Sequence, residues 1–174
     1  MLDNIFNYTL DFKQVDFRKH PELYRIGKGE QGVLLVEPYK SEILPYWKFK
    51  TEAIAEKSAK KIYSMFESYL KKKDFIGADM ARKYLQMGFT RARRYANHKS
   101  GRKYEKDGEK VKNTEEIFSS GSSNKVKKII KQETDALTNE KSKAANIFKS
   151  YWFMAKDHPQ YINQKVEFKK MYYR

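Results

Sequence analysis

The spacing of apolar residues changes near residue 50, from short, irregular intervals to the three- and four-residue intervals of an amphipathic helix. Residues 5–17 carry an apolar side chain at nearly every second or third position, which predicts an extended arm or a short strand packed on the body of the protein. Pro21 predicts the start of a short helix. After a glycine-rich loop at 27–32, the aliphatic run 33–36, closed by Pro38, predicts a buried strand.

Two long helices are predicted between residues 51 and 97. Thr51 is a suitable N-cap for the first helix, which carries apolar residues on one face and lysines on the other. The second helix runs from residue 74 or 75 to about residue 97, and apolar and small side chains nearly encircle its first half. We therefore predict that it is the central, close-packed helix, and that the two helices form an antiparallel hairpin.

The remainder of the chain predicts a linker and two more helices. Residues 119–124 are rich in serine and glycine, as linkers are, and a lysine-rich segment follows at 125–131. A helix is predicted from about residue 139 to 156. Asp157, a suitable cap, His158 and Pro159 end it, and a last amphipathic helix extends to residues 172–174.

The predicted fold is therefore mainly α, with a minor α+β character. It consists of a helical hairpin core, a short extended N-terminal segment and a C-terminal helical pair. We expect one domain, with a core at 1–112, a flexible basic insert at 113–138, and C-terminal helices at 139–174 that pack on the core.

The composition supports a folded, cytoplasmic protein. Of the 174 residues, 40% are hydrophobic and 15% aromatic, which is enough to build a core and argues against global disorder. The absence of cysteine excludes disulfides and thiolate metal sites and favours a reducing compartment. The chain shows no signal peptide, and its longest aliphatic run, at 33–36, is far shorter than a membrane span. We therefore expect no membrane partner.

Positive charge is concentrated after residue 50. Residues 1–50 carry a net charge of +1, whereas residues 51–174 carry +14. This asymmetry favours a polyanionic partner for the second part of the chain. A general preference for lysine is the alternative explanation, since the chain has 29 lysines and only 8 arginines.

The strongest local signal is the segment 80–104, called the basic strip below, which contains no Asp or Glu. Its cations and one histidine are interleaved with aromatic residues, an arrangement suited to phosphate backbones and stacked bases. Half of the arginines in the chain lie between Arg91 and Arg102, so lysine preference does not explain the cluster. The candidate nucleic-acid-binding residues are Arg82, Lys83, Arg91, Arg93, Arg94, His98, Lys99, Arg102 and Lys103. Alternatively, some of these arginines pair inside the fold with Glu30, Glu37 or Glu42.

Three glycines at 27, 29 and 32 match the phosphate-covering loop of protein kinases, but the match extends no further. The lysine, H-R-D and D-F-G motifs of kinases are absent, and no helix is predicted directly after the last glycine. A tight turn is the favoured interpretation, with backbone N–H groups facing an anion as a minor alternative.

The sequence contains no catalytic motif. The three histidines are isolated from one another and have no metal-ligand spacing, so we predict no metal site and no cofactor. His98 is the candidate for acid–base chemistry because it lies among arginines. An alternative site would combine the basic strip with a pocket formed by Glu30, Glu37, Glu42 and Tyr95.

Several blocks of the chain resemble a family of small bacterial, fungal and phage proteins known as domain of unknown function 4385. The blocks are residues 21–45 (PELYRIGKGEQGVLLVEPYKSEILP), 79–83 and 91–104 (RARRYANHKSGRKY), with weaker similarity at 144–148 and 159–161. The resemblance implies a compact, cytoplasmic domain but no activity, so it assigns no functional residue. Residues 106–138 are an elongated, divergent insert relative to the family. We hypothesise that the glutamate-bearing loop and the arginine-bearing helix meet and form one site.

Three functions are compatible with these patterns. The first is a nucleic-acid-binding accessory protein that uses the basic strip, with the lysine run 125–131 as a nonspecific contact. The second is a small enzyme or ligand-binding domain whose Glu/Arg/His pocket holds a phosphorylated or carboxylated molecule. The third is a protein-interaction module with an acidic partner. An open basic surface would favour nucleic-acid binding. A pocket that the basic residues share with the glutamates would favour the enzyme or ligand-binding domain, and a large exposed apolar patch would favour the protein-interaction module.

Overall fold

The computed structural model of the chain describes residues 5–104, 114–118 and 126–173, of which 114–118 and 126–128 are described by their backbone alone. Within these ranges the fold is mainly α-helical, which confirms the predicted class. The helices are α1 (Tyr39–Ile43), α2 (Glu52–Lys71), α3 (Phe75–Asn97), α4 (Glu140–Lys156) and α5 (Pro159–Tyr172). Two strands, β1 (Thr114–Phe118) and β2 (Val126–Ile130), form an antiparallel pair in which Thr114 is opposite Ile130 and Phe118 is opposite Val126.

The long helices begin where side chains can cap them. Thr51 Oγ1 accepts a hydrogen bond from the backbone N–H of Ile54 at the start of α2, and Asp74 does the same for Gly77 in α3. Asn139 caps α4, and the ring of His158 caps α5. These caps place the starts of α2, α3 and α4 within a residue of the predicted positions.

The predicted antiparallel hairpin of α2 and α3 is confirmed, and α4 completes a three-helix core by packing on both helices. Residues on all sides of α3 are buried, as expected for the central helix. Two glycines allow its neighbours to approach closely. A Cβ at Gly77 would lie 2.3 Å from the ring of Tyr69 on α2, and one at Gly88 would lie 2.2 Å from the ring of Phe148 on α4. The helix α5 packs across the first half of α3, where Tyr161 stacks on Phe75.

The predicted strand at 33–36 is wrong. Within the described residues 5–50 the chain forms turns and short helices, and no strand. Gly32 adopts a φ of 81°, and its carbonyl accepts hydrogen bonds from the backbone N–H groups of Leu35 and Val36, which closes a tight turn. The turn buries Val33 and Val36 and leaves Leu34 42% exposed. Residues 5–17 likewise form turns rather than a strand.

A short helix that the sequence did not predict follows this turn. The Glu37 carboxylate accepts hydrogen bonds from the backbone N–H and the hydroxyl of Ser41, which stabilises α1. The 3₁₀ helix Leu44–Tyr46 follows directly, and another at Pro21–Leu23 confirms the short helix predicted at Pro21. The division of the chain at residues 112 and 138 stays a prediction, and the linker predicted at 119–124 lies outside the described residues.

The N-terminal segment is joined to the helices by Asp79, a fully buried residue of α3. Its carboxylate accepts hydrogen bonds from the hydroxyl of Tyr24 in the N-terminal segment and from the hydroxyl of Tyr161 in α5, the latter at 2.6 Å. It also accepts hydrogen bonds from Arg82 Nε and Nη2 at 3.1 and 2.7 Å, and lies 3.8 Å from Lys83 Nζ. One carboxylate thus joins three parts of the chain and neutralises one of two buried cations.

We expect Asp79→Asn to destabilise the fold strongly. The substitution keeps the shape of the side chain but leaves Arg82 and Lys83 without their counter-charge. Removal of one partner of a buried ion pair costs about 3–5 kcal/mol, so the free energy of unfolding from urea titrations should fall by that amount.

The matched control is Asp157→Asn, because Asp157 pairs with Lys156 at 3.3 Å in an exposed position. Its loss should change the free energy of unfolding by no more than about 0.5 kcal/mol. Equal effects of the two substitutions would contradict the role assigned to Asp79.

Candidate nucleic-acid interface

The basic strip divides into buried and exposed cations. Lys83 is 0% exposed, and its ammonium donates hydrogen bonds to the carbonyls of Ile26 and Gln31, both at 2.6 Å. Arg82 is 8% exposed, and in addition to Asp79 its guanidinium contacts the carbonyl of Gly29 at 2.8 Å. Both side chains therefore hold residues 26–32, called the glycine loop below, against α3. We no longer count Arg82 and Lys83 among the predicted nucleic-acid contacts.

Burial sets the protonation of this cluster. Burial alone would raise the pKa of Asp79, but the charges of Arg82 and Lys83 and the hydroxyls of Tyr161 and Tyr24 outweigh it and lower that pKa to about 2. Burial also lowers the pKa of Lys83, to about 8, because Asp79 opposes this effect only in part and Arg82 adds to it. The Asp79 carboxylate is therefore ionised at neutral pH. Burial makes the charged form of Lys83 less favourable than it is in water.

Arg93 is also used inside the fold. Its guanidinium donates hydrogen bonds to Asn97 Oδ1 at 3.0 Å, to Ser142 Oγ at 3.2 Å, and to the carbonyl of Ala136. These contacts join α3 to α4 and to the loop that precedes α4. Arg93 is therefore an internal connector, although it lies between two exposed arginines in the sequence.

The exposed members of the basic strip lie at the end of α3 and in the turn that follows it. Arg91 and Arg94 are exposed on the last turns of the helix, and Lys99 and Lys103 are exposed beyond it. Arg102 is partly buried in the same turn. Among the described residues, no carboxylate oxygen lies within 4 Å of the charged groups of Arg91, Arg94, Lys99 or Lys103. This group of four is called the α3-end surface below.

An aromatic side chain accompanies these cations. Tyr95 is 39% exposed, and its ring packs against Phe49, with 5.9 Å between ring centroids. Lys141 Nζ lies 5.9 Å from the centroid of the same ring. Gly101 closes over it with a φ of 74°, and a Cβ at this position would lie 2.6 Å from the ring. The ring is therefore held in place while one part of it faces solvent.

His98 does not belong to the exposed group. It is 5% exposed, and its backbone N–H donates a hydrogen bond to the carbonyl of Arg94 at the end of α3. Its ring Nδ1 is buried, and no hydrogen-bond partner for it occurs among the described residues. We therefore remove His98 from the predicted nucleic-acid contacts and from acid–base chemistry with an external substrate.

The three glutamates do not form one site with the arginines of the strip. Both carboxylate oxygens of Glu42 accept hydrogen bonds from Arg18 Nη2 at 2.8 Å. Arg18 Nε also lies 3.4 Å from a carboxylate oxygen of Asp74 at the start of α3. Seventeen residues of helix separate Asp74 from Arg91, which corresponds to about 25 Å and exceeds the reach of a small ligand. The arginine that pairs with a predicted glutamate is therefore Arg18, which lies outside the basic strip.

The other two glutamates have local roles. Glu37 stabilises α1, as described above. Glu30 accepts a hydrogen bond from Thr90 Oγ1 at 3.1 Å and lines a cleft of about 320 Å³ that Lys28 and Arg91 also line. Of the three predicted glutamates, only Glu30 is shown to line a cleft with an exposed arginine of the strip. The predicted Glu/Arg/His pocket is therefore not assembled.

Sequence reasoning missed Asp79 and its tyrosine partners. A usable signal was present, because Asp79 precedes Arg82 and Lys83 by three and four residues, the spacing of ion pairs on one helix face. The described part of the chain also shows no metal site and no membrane helix. No group of three or more metal-ligating residues there is placed to hold a metal ion. No helix there is long and apolar enough to cross a membrane.

Lys83 should give the stability of the fold a measurable pH dependence. Its pKa is about 8 in the fold and 10.5 as a model value for the unfolded chain. Between these values the unfolded chain binds more protons, so the free energy of unfolding contributed by Lys83 rises with pH, by at most about 1.4 kcal/mol per unit.

Lys83→Met lacks this group, and tyrosine titration affects both proteins alike. The stability difference between the natural protein and Lys83→Met should therefore increase from pH 8 to pH 10 and be constant from pH 6 to pH 7. Urea titrations between pH 6 and pH 10 measure this difference in the free energy of unfolding. A difference that does not change with pH would contradict a buried Lys83 with a lowered pKa.

A family model described as Domain of unknown function (DUF4385) matches residues 7–171. No curated protein and no solved structure matches this chain. The match extends from the N-terminal turns through the glycine loop and all five described helices. It therefore covers both the buried Asp79 cluster and the α3-end surface, and the chain belongs to the DUF4385 family.

Proposed function

We propose that this protein binds the phosphate backbone of nucleic acid through the α3-end surface. The observation that carries the proposal is that four cations are exposed together without a carboxylate within 4 Å among the described residues. Among the described residues these four charges have no carboxylate partner, whereas Arg82, Arg93 and the fully buried Lys83 are hydrogen-bonded inside the fold. A phosphate backbone would replace the counterions that such a surface attracts from solution.

The two arginines suit phosphate better than lysines would. Arg91 and Arg94 are three residues apart on one helix, so their side chains project from the same face. A guanidinium group presents paired N–H donors to two oxygens of one phosphate, which fixes position as well as charge. Neighbouring phosphates of one strand could therefore be held at two points, with Lys99 and Lys103 adding less directional attraction.

Tyr95 supports a single-stranded partner in addition to a duplex. Its ring is held by Phe49 and Gly101 and is partly exposed, so it would lose little conformational entropy if a base stacked on it. Stacking on an aromatic ring next to arginines is the usual arrangement in proteins that bind single strands.

A second lysine-bearing element lies beside this surface. The backbone N–H of Ile130 in β2 donates a hydrogen bond to the carbonyl of Lys103, and Tyr104 pairs with Ile129. The strand β2 is therefore anchored next to the end of the basic strip. Lys131, which is exposed and follows β2 directly, would add a contact to the same polyanion.

Substitution of both arginines should weaken binding and reduce its salt dependence. Binding of labelled single- and double-stranded DNA and RNA is measured by fluorescence anisotropy over a salt series. For duplex DNA, loss of two phosphate contacts in Arg91→Ala/Arg94→Ala should make the slope of log affinity against log salt shallower by about 1.8.

The charge-matched control is Lys57→Ala/Lys60→Ala, which removes two exposed cations from α2. It should leave the slope close to that of the natural protein. The proposal fails if the natural protein does not bind any of the four probes at low salt, or if the arginine variant keeps the natural slope.

A further inference from the structure

A second concentration of cations lies in a pocket away from the α3-end surface. The pocket has a volume of about 430 Å³ and lies between the glycine loop and helices α3, α4 and α5. Its walls include Gly27 and Gly29 of the loop, Arg82 of α3, Trp152 and Lys156 of α4, and Lys165 of α5, and one carboxylate, Asp157, also lines it. The volume is within the range of sites that hold small molecules.

Lys165 is the least compensated charge in this pocket. It is partly buried, and no carboxylate oxygen lies within 4 Å of its ammonium among the described residues. Burial lowers its pKa, the attraction of Asp79 opposes that effect, and repulsion from Lys169 and Arg82 adds to it. An anion in the pocket would lower the free energy of this ammonium by supplying the missing negative charge.

Arg82 gives the pocket a fixed positive wall. Its Nε and Nη2 face Asp79, while its Nη1 donates hydrogen bonds to Gly29 and Gln86. The edge that binds a carboxylate through two parallel hydrogen bonds is therefore already taken by Asp79. What remains for a ligand is positive potential from Arg82, the ammonium of Lys165, and the ammonium of Lys156, which Asp157 neutralises in part at 3.3 Å.

The loop wall is formed before any ligand arrives. Lys83 holds the carbonyls of Ile26 and Gln31, and Gln31 Oε1 accepts a hydrogen bond from the backbone N–H of Lys28 at 2.7 Å. Gly29 has a φ of 58°, and a Cβ there would lie 3.4 Å from Gln86 Nε2. Binding would therefore require little ordering of the loop, which favours affinity.

We propose that this pocket binds a small phosphomonoester, with the phosphate between Lys156 and Lys165 and the organic group against Trp152. Point charges that come from separate helices suit a tetrahedral anion with three terminal oxygens. A carboxylate would find its preferred arginine edge occupied. This site is independent of nucleic-acid binding, because none of its walls belongs to the α3-end surface.

The test uses phenyl phosphate, inorganic phosphate and benzoate as probes, with affinities from isothermal titration calorimetry. Phenyl phosphate should bind more tightly than inorganic phosphate, which lacks the ring, and more tightly than benzoate. Lys165→Ala should weaken phenyl phosphate binding about tenfold or more, since one charge-assisted contact is lost.

Lys170→Ala is the matched control on the same helix, because Lys170 is exposed, contacts Glu167 at 3.7 Å and lies outside the pocket. It should bind phenyl phosphate as the natural protein does, and so should Arg91→Ala/Arg94→Ala. The proposal is overturned if phenyl phosphate does not bind, if Lys165→Ala binds it with unchanged affinity, or if benzoate binds equally well.

Discussion

The fold depends on one buried carboxylate that lies between two cations. Asp79 accepts hydrogen bonds from Tyr24, Tyr161 and Arg82, and the ammonium of Lys83 lies 3.8 Å away. A buried charge is tolerated only where partners replace the lost hydration, and here the partners come from the N-terminal segment, α3 and α5. The position of the glycine loop follows from the same cluster, because the two cations bind its carbonyls. The proposed phosphomonoester pocket, which the glycine loop lines, therefore depends on this ion cluster.

The arginines and lysines of α3 have two different roles, and helix geometry separates them. Arg82 and Lys83 point towards the loop and α5, and Arg93 points towards α4, where each finds acceptors. Arg91 and Arg94 are exposed instead. The same segment of sequence thus supplies internal connectors and a surface for a polyanion. The number of cations in this part of the sequence therefore overestimates the exposed positive charge, because it includes the arginines and the lysine that bind inside the fold.

Sequence predicted the parts of the fold that local chemistry determines. The starts of α2, α3 and α4 were predicted from the apolar pattern, with Thr51 as a cap, and the structure shows that Thr51, Asp74 and Asn139 cap them. The aliphatic run 33–36 was misassigned because burial by a tight turn and burial by a strand have the same apolar composition. The site was harder to predict, since Lys83 and Lys99 look alike in sequence and differ only in what the rest of the chain packs against them. The partner of Glu42 was also nonlocal, because Arg18 lies 24 residues earlier in the chain.

Reductive methylation of lysines, followed by peptide mass spectrometry, tests most directly the division between internal and exposed cations. Lys83 should be methylated no faster than the protein unfolds, because its ammonium is enclosed, whereas Lys99 should react as quickly as Lys57. Addition of duplex DNA should slow the reaction of Lys99 and leave that of Lys57 unchanged. Methylation of Lys83 at the rate of Lys99 in the folded protein would contradict the account.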